Sequence, residues 1–246
     1  VKFVKNIDLY VGRMPDKHRK KGETGLWLSP EILKTTSLPQ MSSIWWWLPP
    51  AIFPEDEKIW EEAIEMLLKK GATQFVLNAP WQMAFFSNSP LLRGGRGVSK
   101  EMRLWAGPFC NIANGLAIQM LASLEFSGAI VSPELAREEY LSLAKNSSLP
   151  LGIVIFGDYP LCVSRTISEN LTLCAPFSSP KHEDAYVVKH DGNYWVYPNW
   201  QLNLSNHKDE LARAGYRVFA YLTEPLPDQI ALKDRPGLWN WGHQLV

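Results

Sequence analysis

The residues able to do chemistry in this chain stand where apolar runs end. Asn78 follows "FVL", Asn111 follows "RLWAGPFC", Ser132 and Glu134 follow "GAIV", and Gly157, Asp158 and Arg165 follow "GIVIF". In parallel α/β architectures ligands bind beyond the carboxyl ends of the strands, so these positions are expected around one opening. Glu134 is the candidate for proton transfer, because a carboxylate at a barrel mouth can be desolvated and its pKa raised toward neutrality. Arg165 is the candidate for holding a carboxylate or an oxyanion. Asn78, Asn111, Ser132 and Asp158 are the candidates for binding substrate. Each also has a structural reading: Asn111 and Ser132 as helix caps, Glu134 as a partner of a helix dipole, and Asp158-Tyr159-Pro160 as a turn.

Other routes to catalysis leave less trace. There is no G-x-S-x-G elbow, H-E-x-x-H helix, P-loop or G-x-G-x-x-G in the sequence. "LLRGGRGVSKE" has the glycines of a phosphate loop without its lysine and serine in order, and reads as a surface turn. Cys110, Cys162 and Cys174 are the only cysteines, an odd number without zinc-like spacing. As ligands of an iron–sulfur cluster they form an incomplete set, so a cluster is disfavoured and packing is the expected role. The histidines His18, His182, His190, His207 and His243 are scattered and show no charge-relay or metal pattern.

The elements that must position these residues follow from periodicity. Strands are expected at 3–11, 25–28, 43–48, 74–78, 103–105, 128–131 and 151–156, several of them continuously apolar as in a sheet covered on both faces. "PEDEKIWEEAIEMLLKKG" is a helix with an acidic start, a basic end and Gly71 as its stop, with Ile59, Ala63, Met66 and Leu67 on one face. A second helix is expected from Asn111 to Leu124, and a third in "SPELAREEYLSLAK" with Ser132 as cap and Pro133 at the first helical position. Strand, loop and capped helix alternate from Gln74 to Phe156, which predicts an α/β fold with a (β/α) TIM-barrel-like core, or else an open doubly wound sheet. The core is assigned to 1–160. Residues 161–246 form a C-terminal extension: a hairpin about Asp191-Gly192, a short helix from Ser205 or Asn206, a strand "YRVFAYL" returned to the sheet, and a tail rich in Pro and Trp.

Composition bounds the partners. At 246 residues and 46% apolar the chain can bury a sizeable core, and its formal net charge is zero. No general electrostatic attraction to nucleic acid or a membrane surface follows, and the basic run from Arg13 to Glu23 reads as a solvated loop. Without a bilayer-length apolar stretch or a secretory signal, a cytoplasmic location is the expectation. The first residue is Val1 rather than Met, which fits a processed form or a piece of a longer protein. Eleven tryptophans, with Trp45, Trp46 and Trp47 in succession, suggest an aromatic surface for self-association or for the chain's own tail.

Three stretches together resemble the collagenase-like peptidase family. "CNIANGLAIQMLASLEFSGAIVSPELAREEY" is similar to its strand–Asn–helix segment followed by a strand ending in Ser-x-Glu-Leu. "LGIVIFGDYPLCVSR" is similar to its glycine and P-L-M-x-S-R corner, and "YVVKHDGNYWVYPNWQLNLSNHKDELARAGYRVFAYL" to its later hairpin and short helix. The likeness covers residues 43 to 224. It implies a (β/α) barrel and a hydrolase acting as a protease on a peptide or small-molecule substrate. It also implies an alternative, an iron–sulfur enzyme for oxygen-independent hydroxylation or RNA modification; apart from the resemblance, the many tryptophans favour a non-catalytic accessory binding protein with a degenerate barrel. The family's small-residue corner before its first cysteine is two residues longer here, and its following G-x-C has no counterpart before Cys174.

Overall fold

In the computed structural model, which describes residues 5–16, 21–30, 33, 41–87, 102–180, 182–233 and 241, the apolar runs pair edge to edge until the sheet closes on itself. The ring is formed by β1 (Ile7–Gly12), β2 (Glu23–Trp27), β3 (Ile44–Trp47), β4 (Gln74–Leu77), β5 (Arg103–Ala106), β6 (Gly128–Ile130), β7 (Leu151–Gly157) and β13 (Tyr216–Leu222). Every neighbouring pair is parallel, and β13 lies between β7 and β1, so the eight strands make a closed TIM-barrel-like α/β barrel. Outside the ring run α1 (Glu57–Lys69), α2 (Gly115–Ser123), α3 (Arg137–Lys145) and α4 (Lys208–Ala214), with a single helical turn at Ala84–Ser87.

Between β7 and β13 the chain inserts a small antiparallel sheet. Its strands β8 (Cys162–Ser164), β9 (Pro176–Ser178), β10 (Asp184–His190) and β11 (Asn193–Pro198) stand in the order β8-β11-β10-β9. A short strand β12 (Leu202–Asn203) then pairs antiparallel with β7 before α4 begins. The β10–β11 hairpin turns through Asp191 and Gly192 at φ 47° and 80°. Two positive φ values in succession are what the tight Asp-Gly turn requires. The chain beyond residue 160 thus supplies both the insert and the strand that closes the barrel.

Alternation along the strands sends Val11, Gly25, Trp27, Trp45, Trp47, Val76, Trp105 and Gly128 to the interior face, while Phe75 faces outward onto Phe86. Four indoles inside one ring need small partners, and glycines supply them. A side-chain carbon at Gly25 would meet Val11 at 2.8 Å and the Trp47 indole nitrogen at 3.1 Å. At Gly128 it would lie 2.6 Å from the Trp105 ring. The aromatic surface expected of the Trp45–Trp47 run is therefore absent. Trp45 and Trp47 fill the barrel, Trp46 points to the opposite face with its Nε1–H on the Met41 carbonyl at 3.3 Å, and all three are buried. The described tryptophan of the tail, Trp241, packs on Tyr140 and His207.

The helix starts differ from the sequence expectation in an informative way. Asn111 is no N-cap. It ends the 3-10 turn Pro108–Cys110 in the left-handed conformation, φ 52°. Asn114 caps α2 instead, its side chain accepting from the Ala117 N–H at 2.9 Å. The third helix begins at Arg137, so Ser132 is not its cap; the Ser132 hydroxyl accepts from the Glu134 N–H at 3.3 Å. In α1 the buried face is Trp60, Ala63, Ile64 and Leu67, which leaves Ile59 exposed and Met66 half-buried. Among the described residues no helix is long and apolar enough to cross a membrane.

Because the glycine contacts are with buried rings, Gly128→Ala is expected to lower stability by about 1–3 kcal/mol through overpacking against Trp105. Urea unfolding checks this; an unchanged midpoint would show that the ring can move aside.

Candidate functional site

At the carboxyl ends of β3 to β7 the loops enclose a cavity of about 440 Å³. Asn78, Asn111, Ser132 and Glu134, each chosen from the sequence as a strand-end residue, all line it. Its aromatic wall is Phe109 stacked on Tyr159, ring centroids 5.0 Å apart and 16° from parallel. Pro50, Pro80, Pro108 and Pro160 complete much of the rim, and their fixed φ angles stiffen it.

Asn78 is held rigidly. Its Nδ2 donates to the Leu48 carbonyl at 2.7 Å, and its backbone N–H donates to Gln82 Oε1 at 2.9 Å. Gln82 is fully buried and donates in turn to the Pro49 carbonyl at 2.7 Å, so one side chain ties the loop after β3 to the loop after β4. Gly107 lets the β5 loop approach: a side-chain carbon there would fall 1.9 Å from Asn78 Oδ1. Farther round, Tyr140 donates to the Ser132 carbonyl at 2.9 Å and anchors the β6 loop to α3. Ser132 itself is buried, while the Glu134 side chain is exposed at the opening.

The rest of the mouth is covered by the β10–β11 hairpin. Ser29 donates to Asp191 at 2.6 Å and Asn193 donates to the Ala51 carbonyl at 3.1 Å, which fixes the hairpin on the loops after β2 and β3. Trp195 drops into the mouth edge-on to Trp27 at 5.2 Å and to Phe109 at 6.1 Å. The guanidinium of Arg13 lies 5.0 Å from the ring of Trp27 and 4.7 Å from that of Trp195. Its Nε donates to both oxygens of Glu224, at 3.0 and 3.1 Å, and His190 Nε2 stands 3.4 Å from the same carboxylate. The Arg13 and Glu224 side chains are only 11% and 4% exposed. Burial acts to raise the Glu224 pKa, but His190 and Arg13 outweigh it and hold the carboxyl below its ordinary range.

Two of the expected site residues lie elsewhere. Arg165 does not join Asn111 and Glu134: it pairs with Glu55 at 2.7 Å and Asp56 at 2.9 Å, over the ring of Phe53, beside the start of α1. The longer corner after β7 carries it there, since β8 runs out along the insert sheet before Arg165 is reached. Asp158 is not among the residues lining the cavity. It is buried beneath the mouth, where its carboxylate accepts from Gln201 Nε2 and from the Glu224 N–H, both at 3.0 Å. Burial raises its pKa, against those two hydrogen bonds.

The cysteines divide in the same way. Cys110 and Cys162 line the cavity, but Cys174 is exposed beside the insert sheet, its N–H on the Val187 carbonyl. Among the described residues no group of three or more His, Cys, Asp or Glu side chains could hold a metal ion, and the three thiols do not fit a shared iron–sulfur cluster. Burial pushes the Cys110 thiol up to about 12, and its Sγ lies 3.2 Å from the Leu77 carbonyl as a hydrogen-bond donor. His18, His243 and the glycines of "LLRGGRGVSKE" lie outside the described residues.

Arg13 and Glu224 are the residues that sequence reasoning missed. Both stand just past a strand, so the rule that selected Asn78 and Glu134 would have found them. Arg13 was absorbed into a basic run, and Glu224 follows the strand assigned to an extension. Comparison of the chain with family models, with curated proteins and with solved structures finds no match in any of the three.

The thiol environments give a first test: at pH 8 iodoacetamide should label Cys162 and Cys174 in the folded protein and leave Cys110 unmodified until unfolding, as read by peptide mass mapping. The ion pair gives a second. Replacing Glu224 with Gln strands the Arg13 charge and should cost about 3–5 kcal/mol at pH 7. With its folded pKa depressed, Glu224 contributes stability above the unfolded value of about 4.3 and loses it as pH falls through the folded value. Urea titrations should therefore show the gap between wild type and Glu224→Gln narrowing in acid; a constant gap would contradict the ion-pair account.

Proposed function

We propose that the chain is a hydrolase of the collagenase-like peptidase type, holding a peptide in the cavity at the ends of β3 to β7 with Glu134 as its proton-transfer group. The observation that carries this reading is convergence: Asn78, Asn111, Ser132 and Glu134 come from the ends of three different strands, β4, β5 and β6, and border one cavity. A carboxylate at the opening, amide side chains on the wall and an aromatic stack beside them suit an extended peptide better than an anionic ligand. No basic residue borders this cavity among the described residues, and the arginine expected to bind a carboxylate is engaged by Glu55 and Asp56.

In this reading Glu134 takes a proton from a water molecule as the water oxygen attacks the peptide carbonyl carbon. The carbon–nitrogen bond then breaks, and the same proton passes to the departing nitrogen. Asn111, on the cavity lining, takes the role of donor to the carbonyl oxygen as it gains charge in this reading. The Cys110 thiol takes no part as a nucleophile, since a thiol with a pKa near 12 carries almost no thiolate at neutral pH.

A second reading, a peptide-binding protein without turnover, is favoured by the Trp195 plug, which narrows the mouth to one side. One experiment separates the two. The protein is incubated with gelatin and with a synthetic peptide mixture, and new termini are counted by mass spectrometry beside a pull-down of bound peptides. Hydrolysis should appear with wild type and fall about a hundredfold or more in Glu134→Gln. Full activity in that variant would remove Glu134 from the chemistry. Peptide capture with no new termini would favour the second reading.

A further inference from the structure

The outward face of α2 carries an apolar stripe. Leu116, Met120 and Leu124 are 78%, 61% and 39% exposed, while Ile118 and Leu121 on the other face are buried against the barrel. Their spacing of four residues places the three side chains one above another along the helix. From Asn111 to Leu124 the sequence contains no charged residue. Large exposed apolar side chains grouped in this way, rather than scattered singly, mark an interaction surface.

The geometry points to a second copy of this chain as the occupant, packed through α2 about a two-fold axis at Met120. Three features select a copy over another partner. The stripe is palindromic: an antiparallel α2 pair about Met120 sets Leu116 of one chain against the equivalent of Leu124 in the other, and Met120 against its own equivalent. Such self-complementarity is what an isologous contact demands. The uncharged stretch brings no like charges together across the axis.

The third feature is the flanking helix. α3 opens on Arg137, which pairs with Glu210 and Glu138, and has exposed Glu138 and Glu139 in its first turn and exposed Lys145 in its last, a net negative start and a positive end. An antiparallel arrangement of α2 runs the two α3 helices antiparallel as well, so the acidic end of one faces the basic end of the other. Between α2 and α3 lies a shallow cavity of about 430 Å³, bordered by Ala113 and Leu143 and by the polar Asn114, Glu138 and Glu139, so the acidic residues flank the stripe directly. The stripe forms the desolvated centre of the contact and the α3 charges its rim, the usual anatomy of a protein interface. Three apolar side chains supply less than the roughly 800 Å² per partner of a standard interface, so the association is concentration-dependent.

Sedimentation equilibrium of the full chain over a wide concentration range tests this. Wild type should rise from the mass of one chain toward that of two. Met120→Glu and Met120→Lys should each weaken association about tenfold or more, because like charges meet at the axis. Their equimolar mixture should associate again, since opposite charges then face each other at the same point. Circular dichroism of each variant verifies the fold, and recovery in the mixture could not come from two misfolded chains. A single-chain mass for wild type at every concentration would overturn the proposal. So would variants that associate like wild type, or a mixture no tighter than either variant alone.

Discussion

Closure of the barrel around tryptophan is the constraint from which the rest of this structure follows. An eight-stranded parallel ring has room inside only for packed side chains, yet this chain sends Trp27, Trp45, Trp47 and Trp105 there. The volume is balanced locally. Gly25 stands beside Trp47, Gly128 beside Trp105, and Gly152 admits Val218 and Ile130. The bulk of one strand is thus matched by absence on a neighbour. Without that matching β13 could not lie between β7 and β1, and Glu224 at its end would not reach Arg13 at the end of β1. The Trp45 indole nitrogen is satisfied inside the ring as well, by Glu23 at 2.6 Å.

That ion pair, in turn, fixes what the mouth can be. A guanidinium is weakly hydrated and stacks well on aromatic faces, which makes arginine the cation least costly to bury between two indoles. Glu224 neutralises it and His190 adds a third polar group, so the hairpin closes over a paired charge. The Arg13 guanidinium lies against both Trp27 of the barrel and Trp195 of the hairpin, which also meet each other edge-on, so one cation ties the hairpin to the barrel. With this half of the mouth occupied, only the loops after β3 to β7 are left to shape a cavity, and four of the seven strand-end residues, Asn78, Asn111, Ser132 and Glu134, line it.

Much of the fold is legible because parallel strands buried on both faces are written as continuous apolar runs: six of the seven expected strands agree with the structure within two residues, while the first, expected at 3–11, runs from Ile7 to Gly12, with residues 3 and 4 outside the described residues. The closing strand "YRVFAYL" was also seen, returning to the sheet, but periodicity cannot say which two strands it separates. Local capping was less legible. Asn111 and Asn114 are the same residue type three positions apart, and only the geometry of the 3-10 turn decides that one adopts a left-handed conformation and the other caps a helix. For the site, the strand-end rule selected Asn78, Asn111, Ser132 and Glu134 together. It failed for Arg165 because it counts residues from the strand and ignores where the chain goes next. The run Trp45-Trp46-Trp47 misled for a related reason: alternation sends its side chains to opposite faces, but in a closed barrel wrapped by helices both faces are interior.

The insert between β7 and β13 links these observations. It leaves the barrel where a catalytic loop would be expected, contributes Cys162 to one edge of the cavity, and then crosses the mouth as a hairpin before handing the chain back to β13. Cavity and plug are therefore parts of one segment. A change that shifts the hairpin also shifts the wall formed by Tyr159, Pro160 and Leu161, because the Leu161 N–H is bonded to the Val196 carbonyl at 2.8 Å, one residue from Trp195. The aromatic stack of Phe109 on Tyr159 carries the same coupling across to the β5 loop. Glu134 borders the same cavity from the β6 loop that Tyr140 anchors to α3. Trp195, which does not border the cavity, therefore bears on its width through Phe109 and through the Leu161 N–H bond to its neighbour Val196.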